Sequence, residues 1–103
     1  MSVIVTLIFP ADGKQVEELA KATGTFAEVS ESGKEHGAMA HRFYASDGKV
    51  MVIDEWPDAE SFQTFFQAND AKIGPIMAEV AQGEPEITFW HKLDTGDEFG
   101  WGA

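Results

Sequence analysis

The sequence predicts an α+β fold, elements running β-α-β-β-α-β, with one antiparallel sheet in strand order 4-1-3-2 and both helical regions on one face. Three observations carry this. Four short segments are β-rich or alternate apolar with polar residues. Two longer segments, one after the first strand and one after the third, repeat their apolar residues at helical spacing. Asp47-Gly48 stands between two alternating runs, a strong short-range hairpin signal. A right-handed crossover at each helical region then leaves this topology.

The elements follow in order. Val3 to Phe9 (VIVTLIF) is apolar on both alternating faces and dominated by β-branched residues, so it reads as a strand covered on both sides. Pro10 closes it. Asp12 is placed to cap a helix, with Gln15 as its capping-box partner, and Val16, Leu19, Ala20 and Thr23 keep helical spacing. Gly24 breaks the helix, and Phe26, Val29 and Ser30 continue the stripe to Gly33. Strands over 38–45 and 49–56 flank the Asp47-Gly48 turn, both of whose positions are expected at positive φ. A two-residue turn sets His41 opposite Asp54, Phe43 opposite Val52, Met39 opposite Trp56 and Tyr44 opposite Met51; a three-residue loop sets His41 opposite Ile53 instead. Pro57-Asp58 stops the hairpin and opens a helix with Phe62, Phe65, Phe66 and Asn69 along one side. Gly74-Pro75 is expected to interrupt it before Ile76, Met77 and Val80. Glu86 to Lys92 alternates as the last strand. Residues 1–93 read as one domain, and 94–103 as an acidic, Gly-rich tail whose Phe99 and Trp101 are expected to dock on the domain or on a partner subunit.

The balance of 18 Asp and Glu against 7 Lys and Arg gives a net charge of −11 in 103 residues, and the basic residues are scattered. Such a chain repels phosphate backbones and anionic lipid, so neither nucleic acid nor membrane is expected as a partner. Cysteine is absent, which excludes disulfides, Fe–S clusters and thiol catalysis. No signal peptide or spanning segment is visible, and a cytoplasmic location is the expectation. The helices cover one sheet face only, whereas the first strand is apolar on both. A second copy packed sheet against sheet is the simplest cover, so a homodimer is expected.

A family resemblance rests on particular residues. The first apolar strand, the helix opened by Asp12-Gly13-Lys14, then Gly37 before His41-Arg42-Phe43-Tyr44, and Asp54-Glu55-Trp56 leading into Pro57-Asp58-Ala59-Glu60-Ser61-Phe62, resemble the antibiotic-biosynthesis-monooxygenase-like proteins of the dimeric α+β barrel group. The resemblance covers about Val3 to Lys92. It implies a ferredoxin-like protomer dimerised through its sheets, a pocket between sheet and helices, and cofactor-free oxygenase chemistry on an aromatic, polyketide-like or quinol substrate. The haem-degrading branch does not fit: Thr6, Phe65 and Pro75 stand where its functional residues would align, and no His lies between Glu55 and Glu86.

Several residues are candidates for the site. His41 with Asp54 is the best pair, because a carboxylate beside an imidazole fixes its tautomer and suits a general base for a phenol or enediol. The plainer reading is a cross-strand polar pair. Arg42 and Tyr44 are candidates to hold a substrate anion, or else to pair with Glu55 and to pack at an interface. Trp56, Phe62, Phe65, Phe66 and Trp90 read as pocket walls for a small apolar or aromatic ligand, or as ordinary core. Asn69, at an interrupted helix, and His91, at the end of the last strand, are candidate ligand-orienting groups, with a helix cap and a half-wet histidine as the plain alternatives. No metal-ligand spacing occurs, and neither metal nor cofactor is expected. The alternative to an enzyme is a non-catalytic binding or dimerisation module; a cavity of a few hundred Å³ touched by a His or Arg distinguishes the two.

Overall fold

A computed structural model describes residues 1–101. Strand β1 (Val3–Pro10) lies at the centre, paired antiparallel with β3 (Lys49–Trp56) on one side and with β4 (Glu86–Trp90) on the other; β2 (Ala40–Ser46) extends the sheet beyond β3. The sheet order β2-β3-β1-β4 is the expected order read from the other edge. Each crossover carries two helices, α1 (Gly13–Ala22) with α2 (Thr25–Glu35), and α3 (Ala59–Ala68) with α4 (Asp70–Val80).

The side-chain period of two decides what each face contains. Val3, Val5, Leu7 and Phe9 of β1 point to the helices and are buried, as are Val50, Asp54 and Trp56 of β3. Phe62 and Phe65 of α3 close on Trp56, and Val16 of α1 and Val80 of α4 close on Phe9 and Val50. On the other face stand Ile4, Thr6 and Ile8, Met51, Ile53 and Glu55, Arg42 and Tyr44, and Thr88 and Trp90.

The local signals resolve unevenly. Asp12 caps α1 through Lys14 N–H at 3.0 Å; the return bond expected from Gln15 is not among the described hydrogen bonds. Asp58 caps α3 through Ser61 N–H at 2.7 Å, and that donor and the Ser61 hydroxyl hold its carboxyl below the usual carboxylate range. The helical break falls at Asn69, and α4 runs through Pro75. A proline there removes one backbone bond and crowds the preceding residue; Gly74, with no side chain and open space around it, relieves the crowding. The hairpin has the two-residue turn, with Ser46 opposite Lys49. Only Gly48 takes positive φ, at 69°, so the turn needs the left-handed region at its second position alone.

The tail folds into a local turn. Gly96 N–H donates to the Glu98 carboxylate at 3.0 Å, and Lys92 pairs with Glu98 at 3.5 Å. Phe99 is 88% and Trp101 91% exposed, so neither packs on its own subunit. The expectation for the tail also takes in residues 102 and 103, which lie outside the described residues.

Candidate active site

A cavity of about 260 Å³ lies between the sheet and the helices. Its walls are Leu7 and Phe9 of β1, Val52 and Trp56 of β3, Phe26 and Val29 of α2, Phe62, Phe65 and Phe66 of α3, and Ile73, Ile76 and Met77 of α4. The aromatic cluster is continuous: Trp56 and Phe65 have ring centroids 5.0 Å apart, and Phe62 stacks on Phe66 at 5.4 Å. Phe43 and His41 of β2 flank the wall, their rings edge to face at 5.3 Å. Each crossover is split into two helices, at Thr23-Gly24 and at Asn69, and residues of all four line the space.

The two-residue turn puts His41 directly opposite Asp54, and both side chains point to the helix side. His41 Nδ1 stands 2.6 Å from Asp54 Oδ1. The other carboxylate oxygen, Oδ2, accepts from Trp56 Nε1–H at 3.2 Å. The Asp54 side chain is only 7% exposed, while that of His41 is 40% exposed. A buried carboxylate accepts hydrogen bonds, so Nδ1 is the donor, and in the neutral imidazole the lone pair stands on Nε2. The pair can therefore hold an imidazole in one tautomer with a basic nitrogen at the cavity wall.

The cavity gathers His41, Asp54, Trp56, Phe62, Phe65 and Phe66 from the residues singled out in the sequence. The others lie elsewhere, for a reason of parity or of local bonding. Arg42 and Tyr44 are neighbours of His41 and Phe43 shifted by one, so they face the opposite side, where Arg42 donates to the Tyr44 hydroxyl at 3.1 Å. The Arg42–Glu55 pairing does not form; Glu55 accepts from the Ser2 hydroxyl at 2.6 Å. Trp90 also faces away from the cavity, half exposed, and its indole N–H donates to the Thr6 hydroxyl at 2.8 Å. His91 follows the end of β4 and is exposed. Asn69 is buried, but its amide donates to the Phe65 carbonyl at 3.0 Å and to the Ser32 hydroxyl at 2.8 Å, tying α3 to α2 outside the cavity wall. Sequence reasoning missed Ser30 and Lys34 of α2, the remaining polar groups on the wall. Their distance along the chain from the hairpin gives no signal that they approach it.

No protein-family model and no curated protein matches the chain. Solved structures do match it. The monooxygenase from the gene ActVA-Orf6 of Streptomyces coelicolor, in complex with the ligand nanaomycin D, superposes with a TM-score of 0.70 at 18% identity, over 91% of this chain and 89% of that one. SnoaB, a cofactor-independent oxygenase from Streptomyces nogalater, gives 0.66 at 16% identity, over 94% and 98%. Rv0793 from Mycobacterium tuberculosis gives 0.67 at 14% identity, over 94% and 100%. The chain thus has the ferredoxin-like α+β fold of the antibiotic biosynthesis monooxygenases, a fold also found in NE2512, a protein of unknown function from Nitrosomonas europaea. No helix among the described residues is long and apolar enough to cross a membrane.

Proposed function

We propose that the protein is a cofactor-independent monooxygenase acting on an electron-rich aromatic, polyketide-like or quinol substrate, with His41 as the general base and Asp54 as the group that orients it. The observation that carries this reading is the 2.6 Å bond from His41 Nδ1 to the buried Asp54, on a histidine that lines a 260 Å³ aromatic-walled cavity and whose Nε2 has no hydrogen bond among the described residues. A dimerisation module with a solid core has no use for such a space, so the cavity weighs against that alternative; a non-catalytic binding module would use the same space and is separated from the enzyme by oxygen uptake. The oxygenases of the same fold, one of them holding nanaomycin D, support the substrate class.

The chemistry balances within the substrate and O₂. With an anthrone-type substrate, His41 Nε2 takes a proton from the acidic ring CH₂. The resulting carbanion passes one electron to O₂, and the radical and superoxide join in a C–O bond. The peroxide takes back a proton from His41. Loss of the second C–H proton with O–O cleavage leaves a carbonyl and water. Four electrons leave the substrate and four enter O₂, so no other reductant is required. Phe62, Phe65 and Phe66 hold the ring and exclude water. Arg42, Tyr44, Trp90 and His91 take no part, because they lie outside the cavity.

The working unit in this reading is a homodimer. The sheet face opposite the cavity carries Ile4, Ile8, Met51, Ile53 and Trp90, too apolar a surface to leave wet. A second copy related by a two-fold axis buries it, and the exposed Phe99 and Trp101 of the tail pack on that partner.

Oxygen uptake with a panel of anthrones and quinols tests the assignment. The wild type is expected to consume oxygen, and His41→Ala to be slower by about 10²–10⁴-fold with its fold retained. Equal rates in the two proteins remove His41 from the mechanism, and no uptake with any substrate removes the oxygenase reading.

A further inference from the structure

We infer that Trp56 is a positioning residue: its indole N–H fixes the carboxylate of Asp54 and, through it, the tautomer of His41. The inference rests on the proposed role of His41 and gives Trp56 a task beyond that of a cavity wall. Trp56 Nε1–H lies 3.2 Å from Asp54 Oδ2, and His41 Nδ1 lies 2.6 Å from Asp54 Oδ1, so the three side chains form one chain of hydrogen bonds across β2 and β3. Trp56 is 1% exposed and held on three sides by Phe62, Phe65 and the β1 residues Val3 and Val5.

This arrangement solves a problem of orientation. A lone carboxylate beside an imidazole can turn toward solvent and leave Nδ1 without its acceptor. Anchoring Oδ2 in the core leaves Oδ1 as the acceptor presented to His41, and Nδ1 must then be the protonated nitrogen. Lys34 is the only other charged side chain on the cavity wall, and it is paired with Glu31 at 3.2 Å, leaving Asp54 to Trp56 and His41.

The chain of bonds has a consequence that a merely structural tryptophan would not produce. In Asp54→Asn, one side of the amide is an acceptor and the other a donor. The indole N–H claims the amide oxygen, so the amide NH₂ faces His41 Nδ1. That nitrogen must then accept, and the proton moves to Nε2, where it blocks the base. Without the indole N–H, the amide is free to turn its oxygen back to His41.

The test reads the neutral His41 tautomer by imidazole ¹⁵N NMR above about pH 8, where an ordinary imidazole is uncharged. Wild type is expected as Nδ1–H, Asp54→Asn as Nε2–H, and Asp54→Asn with Trp56→Phe as Nδ1–H again. His36, whose Nδ1 bonds the Ser32 carbonyl at 2.8 Å, serves as the unchanged internal reference. Should the double variant fail to fold, 3-benzothienylalanine at position 56, which keeps the bulk of indole and lacks the N–H, takes the place of Phe. Nδ1–H in Asp54→Asn with Trp56 intact, or Nε2–H persisting once the indole N–H is gone, overturns the inference. The readout needs no substrate, so the tautomer can invert as expected even if oxygen uptake fails, and the two outcomes stay distinct.

Discussion

Along β3, Val50, Val52, Asp54 and Trp56 point to the helices, and Met51, Ile53 and Glu55 point away. The first set joins side chains from β1, α2, α3 and α4 into a core with a cavity and one buried polar chain, Trp56–Asp54–His41. The second set meets only what lies beside it in the sheet: Trp90 folds over Thr6, Arg42 leans on Tyr44, and Glu55 takes the Ser2 hydroxyl. Neighbouring residues of one strand therefore belong to different environments. On the helix side a carboxylate can be desolvated because each of its oxygens has a fixed donor. On the open side polar groups bond locally, and the apolar residues among them await another surface.

Four changes break or sharpen this contrast. Trp56→Ala removes the centre of the helix-side core and the donor to Asp54, so a loss of about 3–5 kcal/mol is expected in urea unfolding. Gly13→Ala comes next. Gly13 opens α1 against β2, and a Cβ there would stand 2.6 Å from the Cβ of Ala45, so strain of about 1–3 kcal/mol is expected in the same assay. Ile53→Asp acts on the open side. In the proposed dimer, wild type is expected to scatter at twice the chain mass and Ile53→Asp at 11.3 kDa with its circular dichroism kept; a variant that stays dimeric would move the interface off this face, and a wild type at 11.3 kDa would remove the dimer. Asp58→Ala has the smallest effect, a lower Tm through loss of the α3 cap. Its sign with pH follows from the lowered carboxyl: the cap stabilises above the ordinary pKa of 3.8 and is lost as pH falls through the lower folded value. The Tm gap between wild type and Asp58→Ala is thus expected to hold at neutral pH and to close in acid.

The strand order was legible in the sequence through the right-handed crossover, and the Asp47-Gly48 turn narrowed the register to two, of which the structure has His41 opposite Asp54. Asp58 was legible as a cap for an equally local reason. The faces were not. Tyr44 and Trp90 are aromatic, as Phe43 and Trp56 are, and only the parity of each position against the helices separates wall from outer surface. Asn69 reads as a ligand-orienting group until its two donors are seen to be used in tying α3 to α2. Pro75 reads as a break because the chain alone does not show that Gly74 has open space around it. Ser30 and Lys34 could not be placed, since a helix crossing over a hairpin leaves no spacing pattern.

The difference between the faces is most directly tested by locating a bound ligand. An anthraquinone, which has no oxidisable CH₂, can be titrated into isotope-labelled protein while methyl and aromatic shifts are followed. Perturbations are expected at Val29, Val52, Phe65, Ile73 and Ile76 and at the Nε2 of His41, with Ile4, Ile8, Met51 and Ile53 unmoved. Shifts confined to Ile4, Ile8, Met51, Ile53 and Trp90 would place ligand binding on the open face and contradict the account.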